Sequence, residues 1–147
     1  GNPRTRCLFS GGNLYKKLAI CTDVFADLSY TDMLDKVKSL GIDAVEMTAG
    51  GWGARKHCNT AELLADEGKR KEFMGELEKR GMRISALNTS CNPLWPSKTG
   101  EEYKKSMYDC ATLAGLLGVK KIVAMAGLPA GSETDTTPNW ITRVSRC

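Results

Sequence analysis

Three short segments of the chain echo one another: "LGIDAVEM" at 40–47, "RGMRISAL" at 80–87 and "LGVKKIVAM" at 117–125. Each is a glycine, an apolar residue, one or two polar residues and then a short apolar run. A glycine closing a helix supplies the left-handed residue that ends it, and the apolar run behind it reads as a buried strand. Gly41, Gly81 and Gly118 lie 40 and 37 residues apart, a period that suits one helix, one strand and one loop. The strands predicted on this basis are Leu18–Thr22, Ala44–Thr48, Ile84–Asn88 and Ile122–Ala126.

The intervening segments are helical by pattern. "SYTDMLDKVKSLG" has Ser29 as N-cap, with Met33, Leu34, Val37 and Leu40 on one face. "DEGKRKEFMGELEKRG" turns Phe73, Leu77 and Met74 inward. "TGEEYKKSMYDCATLAGLLG" sets Thr99 and Glu102 at capping-box spacing and carries an apolar face of Tyr103, Met107, Cys110, Ala114 and Leu117. Regular alternation of strand and helix requires parallel pairing with right-handed crossovers. A dinucleotide-binding sheet needs a glycine-rich turn after its first strand, and "CTDVFADLS" has no glycine there. The remaining architecture is α/β, with parallel (β/α) repeats forming half of a TIM barrel from four strands and three helices. Residues 1–16 read as an N-terminal arm or tag remnant, and 17–147 as a partial barrel domain.

Composition excludes several classes of function. The net charge of +4 is mild, and the basic residues alternate with acidic ones, so no phosphate-tracking stripe for nucleic acid emerges. No apolar run approaches the roughly 20 residues that span a bilayer, and the glycine-rich N-terminus has no signal-peptide core. Six cysteines without a CxxC pair then point to reduced thiols and a cytoplasmic protein.

In parallel α/β folds, chemistry sits at the carboxyl ends of the strands. That rule selects Asp23, Glu46 and Asn88 together with the loop residues Trp52, His57, Asn92 and Trp95. Glu46 is the sharpest candidate, because a carboxylate interrupting the apolar run "AVEM" must be paired, metal-bound or facing the barrel mouth. His57 is the single histidine, and with Glu46 and Asp23 it could complete a metal triad or contact substrate. Cys58 or Cys91 could act as a nucleophile only if a nearby base lowered its pKa; filler in the core is the simpler role. Trp52, Trp95 and Trp140 all lie in mouth loops, where an indole can cover a pocket or stack on a sugar ring.

The motifs "VEMTAGGW…HCNTAELLADEGKRKEF", "ISALNTSCNPLWP" and "IVAMAGLPAG…PNW" resemble the sugar phosphate isomerase/epimerase family, the xylose isomerase-like TIM barrels, over about Leu18 to Trp140. The resemblance implies an isomerase or epimerase of carbohydrate metabolism. Its catalytic carboxylate would be Glu46, and Asp23, Trp52, His57, Asn88, Asn92 and Trp95 would face a sugar or polyol-like substrate. Relatives of this kind commonly read Gly-Asn-Pro-Leu-His-Pro in the third loop. Here Cys91 replaces that glycine and Trp95 that histidine, while Asn92, Pro93, Leu94 and Pro96 match. The resemblance also implies a divalent metal (Mn, Mg, Co or Zn) held by later strands of a complete barrel, so that this chain alone holds none. The alternative is a non-catalytic half-barrel that associates with a partner or with a second copy, since an open sheet edge promotes association.

Overall fold

A computed structural model describes residues 18–130 and 132–134 of the 147. The proposed N-terminal arm, Trp140 and the tail lie outside the described residues. The elements run β1 (Ile20–Cys21), a 3₁₀ turn (Thr22–Phe25), α1 (Tyr30–Ser39), β2 (Ala44–Thr48), α2 (Thr60–Ala65), α3 (Glu67–Glu78), β3 (Arg83–Asn88), α4 (Lys98–Leu117) and β4 (Ile122–Val123). The four strands form one parallel sheet in the order β1-β2-β3-β4. This is the (β/α) progression expected from the glycine-spaced repeat, and Gly41, Gly81 and Gly118 all adopt the left-handed backbone that the repeat requires.

The differences from the sequence reading have physical causes. Strands β1 and β4 are shorter than expected because each is paired on one side only. The second loop contains an extra helix, α2, whose N-cap Asn59 accepts from the Glu62 amide. Helix α4 is capped by Ser97, whose Oγ accepts from the Gly100 amide at 3.2 Å, and not by Thr99. Gly100 has to be a glycine because the Trp95 carbonyl occupies the space of a Cβ. Leu40, expected inward, lies just past the end of α1 and is exposed. On α4 the buried positions are Gly100, Cys110, Leu113 and Ala114, so the core stripe includes Leu113 beside the expected Cys110 and Ala114; Tyr103, Met107 and Leu117 are half-buried.

One face of the sheet packs on the helices. Val45 and Met47 of β2 and Leu87 of β3 join Met33, Leu34 and Val37 of α1, Leu77 of α3 and Leu113 of α4, all fully buried. Strand β3 reaches this face through a bulge. Val45 pairs with Ile84 and Glu46 with Ala86, so Ser85 is the extra residue, and its hydroxyl donates to the Val45 carbonyl at 3.0 Å. Ile84 and Leu87 stand three positions apart, which in an unbroken strand sends them to opposite faces. The bulge lets both pack on the helices, and it aligns Ala86 and Asn88 with Glu46 and Thr48 on the other, inner face.

Candidate functional site at the inner face of the second and third strands

The period-2 alternation of β2 that buries Val45 and Met47 sends Glu46 and Thr48 to the inner face. Cys21 pairs with Glu46 in register, and its Sγ lies 3.9 Å from the Thr48 hydroxyl. Across the β2–β3 pair, Asn88 Nδ2 donates to Glu46 Oε1 at 2.6 Å. Asn88 Oδ1 accepts from the Ser90 amide at 2.8 Å. The half-buried Glu46 is thus held through one oxygen by an uncharged donor, which fixes the aim of its carboxyl group.

The loops add three further groups. Asp23 is the second residue of the 3₁₀ turn after β1, and a Cβ on Gly53 would lie 2.6 Å from its Oδ2, so the first and second loops meet there. Trp52 is 55% exposed; its ring stands edge-to-face with Tyr103 of α4 at 6.2 Å, and its amide donates to the Ser90 carbonyl at 2.9 Å. Its ring is therefore presented at the rim with its backbone fixed. Asn92 ties the third loop to the fourth: its Oδ1 accepts from the amides of Leu128 (2.9 Å) and Leu94 (3.3 Å), and its Nδ2 donates to the Leu128 carbonyl (3.1 Å). Gly127 follows the same close approach, with φ +81 and a notional Cβ only 2.7 Å from Asn92 Oδ1. Trp95 is half-buried beside the start of α4, and its carbonyl accepts from the Ser97 amide.

His57 goes elsewhere. It is buried, its Nε2–H donates to the Leu28 carbonyl at 3.1 Å, and it lines a cavity of about 500 Å³ with Tyr30, Phe73 and Glu72. Among the described residues no three His, Cys, Asp or Glu side chains converge on a point, so Asp23, Glu46 and His57 do not form a metal triad. The described residues do not fit a divalent metal by themselves. A second cavity, of about 660 Å³, lies between the second loop and α4 and is lined by Arg55, Lys56, Cys58, Thr60, Lys105 and Asp109 among others, none of them from the inner face.

Cys58, Cys91 and Cys110 are unsuited to nucleophilic work. Burial pushes Cys58 and Cys110 up to about 11 and also raises Cys91. No charged base counters that shift, so the thiolate is scarce near neutral pH. The four described cysteines are free. The sequence reading missed Ser106 and Thr89, whose hydroxyls lie 3.3 Å apart, and Ser106 Oγ receives the Gly51 amide, fastening the second loop to α4. The signal available for them was the run Gly50-Gly51, which permits a close approach.

Comparisons with known proteins agree with this architecture. No family model matches the chain. It is 50% identical over 126 residues to the "Uncharacterized protein YfiH" of Bacillus subtilis (strain 168), an alignment covering 86% of this chain and 40% of that one. The chain therefore spans about 40% of the length of the curated relative it matches. Its fold is similar to the crystal structure of the probable 3-DHS dehydratase AsbF, involved in petrobactin synthesis, from Bacillus anthracis. The TM-score is 0.54 and the identity 20%, over 76% of this chain and 39% of that one. That likeness establishes the TIM-barrel-like fold. No helix among the described residues is long and apolar enough to cross a membrane.

Proposed function

We propose that this chain is the N-terminal portion of a barrel enzyme of the isomerase or epimerase type, moving a proton between carbons of a sugar or polyol-like substrate. The observation that supports it is the Glu46 carboxylate, placed on the inner face of the sheet and held through one oxygen by Asn88. Its second oxygen is the atom for a substrate C–H beside a carbonyl. Abstraction leaves the C–H electron pair in an enolate, and return of the proton to the same or the neighbouring carbon gives epimer or isomer. Trp52 offers an apolar ring face at the rim for the sugar's C–H surface. Asp23, where the first and second loops meet beside Gly53, is the group to receive substrate hydroxyls. The described residues offer a divalent metal no cluster of three ligands, so the proposed proton transfer is assigned to Glu46 alone.

The test is proton exchange in D2O. The full-length protein would be incubated with a panel of aldoses, ketoses and cyclic polyols in the presence of manganese, and deuterium incorporation followed by NMR. We expect incorporation on at least one of them and a loss of about 10² to 10⁴ in rate for Glu46→Gln. Equal exchange by wild type and variant would remove Glu46 from the chemistry.

A second reading, a non-catalytic half-barrel that joins a partner or a second copy, draws on the β4 edge, where Ile122, Val123, Met125 and Leu128 are exposed. Light scattering separates the two: a defined dimer of this chain favours association between copies, and a monomer removes it.

A further inference from the structure

We propose that Asn88 is a positioning residue, which holds the Glu46 carboxylate and the Trp52 loop in one arrangement. The proposal rests on the reading of Glu46 as the proton-transfer group, but its geometry can be tested apart from that reading.

The chemistry of the partners dictates how the Asn88 amide is turned. A carboxylate oxygen can only accept and a peptide N–H can only donate, so Nδ2 belongs to Glu46 Oε1 at 2.6 Å and Oδ1 to the Ser90 amide at 2.8 Å. The second contact is an Asx turn, in which the side chain orders the backbone two residues on. The peptide thus ordered has its own carbonyl fixed, and that Ser90 carbonyl receives the Trp52 amide at 2.9 Å. The loops approach so closely here that a Cβ on Gly51, which has φ +72, would collide with the Ser90 carbonyl. One side chain therefore links a carboxylate on β2, the loop after β3 and the rim tryptophan of the loop after β2. A ligand could reach Asn88 only through its remaining hydrogen or lone pair. Its more consequential contribution is to aim Glu46 and to set the distance between that carboxylate and the Trp52 ring.

A swap of the two groups tests this in the full-length protein. Asn88→Asp keeps the acceptor for Ser90 but sets a carboxylate against a carboxylate, and we expect a Tm lower by about 5 °C or more. Glu46→Gln alone keeps the hydrogen bond, since an amide oxygen still accepts, and is expected to shift Tm by at most about 2 °C. Combining Glu46→Gln with Asn88→Asp rebuilds the pair with donor and acceptor exchanged, and Tm should return to within about 2 °C of wild type. The same double variant should stay deficient in deuterium exchange, because the recovered hydrogen bond does not restore the base. Failure of Glu46→Gln to rescue Asn88→Asp would overturn the proposal. Rescue of Tm together with wild-type exchange would uphold the pairing and overturn the reading of Glu46 as the proton-transfer group. A purely packing role for Asn88 predicts that the nearly isosteric Asn88→Asp leaves Tm within about 2 °C of wild type, with no loss to rescue.

Discussion

The substitution Asn92→Ala isolates the clamp between the third and fourth loops. Asn92 makes three hydrogen bonds to backbone groups, two of them to the amide and carbonyl of Leu128, at 2.9 and 3.1 Å, and a longer one of 3.3 Å from the Leu94 amide. A typical intramolecular hydrogen bond contributes about 1 kcal/mol net, and the longest of the three less. The residue is half-buried, so water replaces part of what alanine removes, and we place the loss at about 1.5 kcal/mol, or about 5 °C in Tm. Asn92→Asp should fall between the two, since it keeps the acceptor for both amides but sets an oxygen against the Leu128 carbonyl. The assay is thermal melting followed by circular dichroism, paired with hydrogen exchange of the Leu128 and Leu94 amides. Both amides should lose protection in Asn92→Ala while those of α1 and α3 keep theirs. An unchanged Tm with unchanged protection at Leu128 would mean the loops are held by something other than Asn92, and the account of the mouth given above would fall.

Two further outcomes follow from the core. Leu87→Ala removes a fully buried side chain at the centre of the helix-facing cluster and should cost about 3 to 4 kcal/mol, read as a lowered denaturant midpoint. Stability should also fall as pH rises from about 9 towards 11. Burial raises the folded pKa of Cys58 from 9.0 to about 11, so the unfolded chain loses its thiol proton first, and stability present below pH 9 is lost through that window. Tyr30, raised by burial above its ordinary 10.0, adds to the loss at the upper end. Cys58→Ser should flatten the first part of this decline in a plot of Tm against pH; an unaltered curve would count against the burial argument.

Much of the fold was legible in the linear pattern, because a helix-ending glycine and the apolar run behind it are local signals. Gly41, Gly81 and Gly118 take the positive φ that a helix end favours for glycine, and the strands they introduce pair in the order of the chain. Glu46 was legible for a similar reason: alternation alone turns it away from Val45 and Met47. Helix α2 was hidden because its six residues follow a glycine-rich loop and hold only one buried side chain, Leu63.

What the sequence by itself determined is thus the repeat, the parallel sheet and the single inner-face carboxylate, all consequences of short-range backbone chemistry and periodicity. Tertiary structure alone decided which polar residues meet. The extra residue at Ser85 puts Ile84 and Asn88, which an unbroken strand would turn the same way, on opposite faces, and it is the β2–β3 register, not the order of letters, that sets Asn88 against Glu46. The lone histidine could have joined them, but the chain folds it onto the Leu28 carbonyl, 29 residues away, where burial requires a partner for its ring nitrogen. Contacts of this range depend on how packed elements bring distant backbone groups within hydrogen-bond distance, and no local propensity encodes that distance.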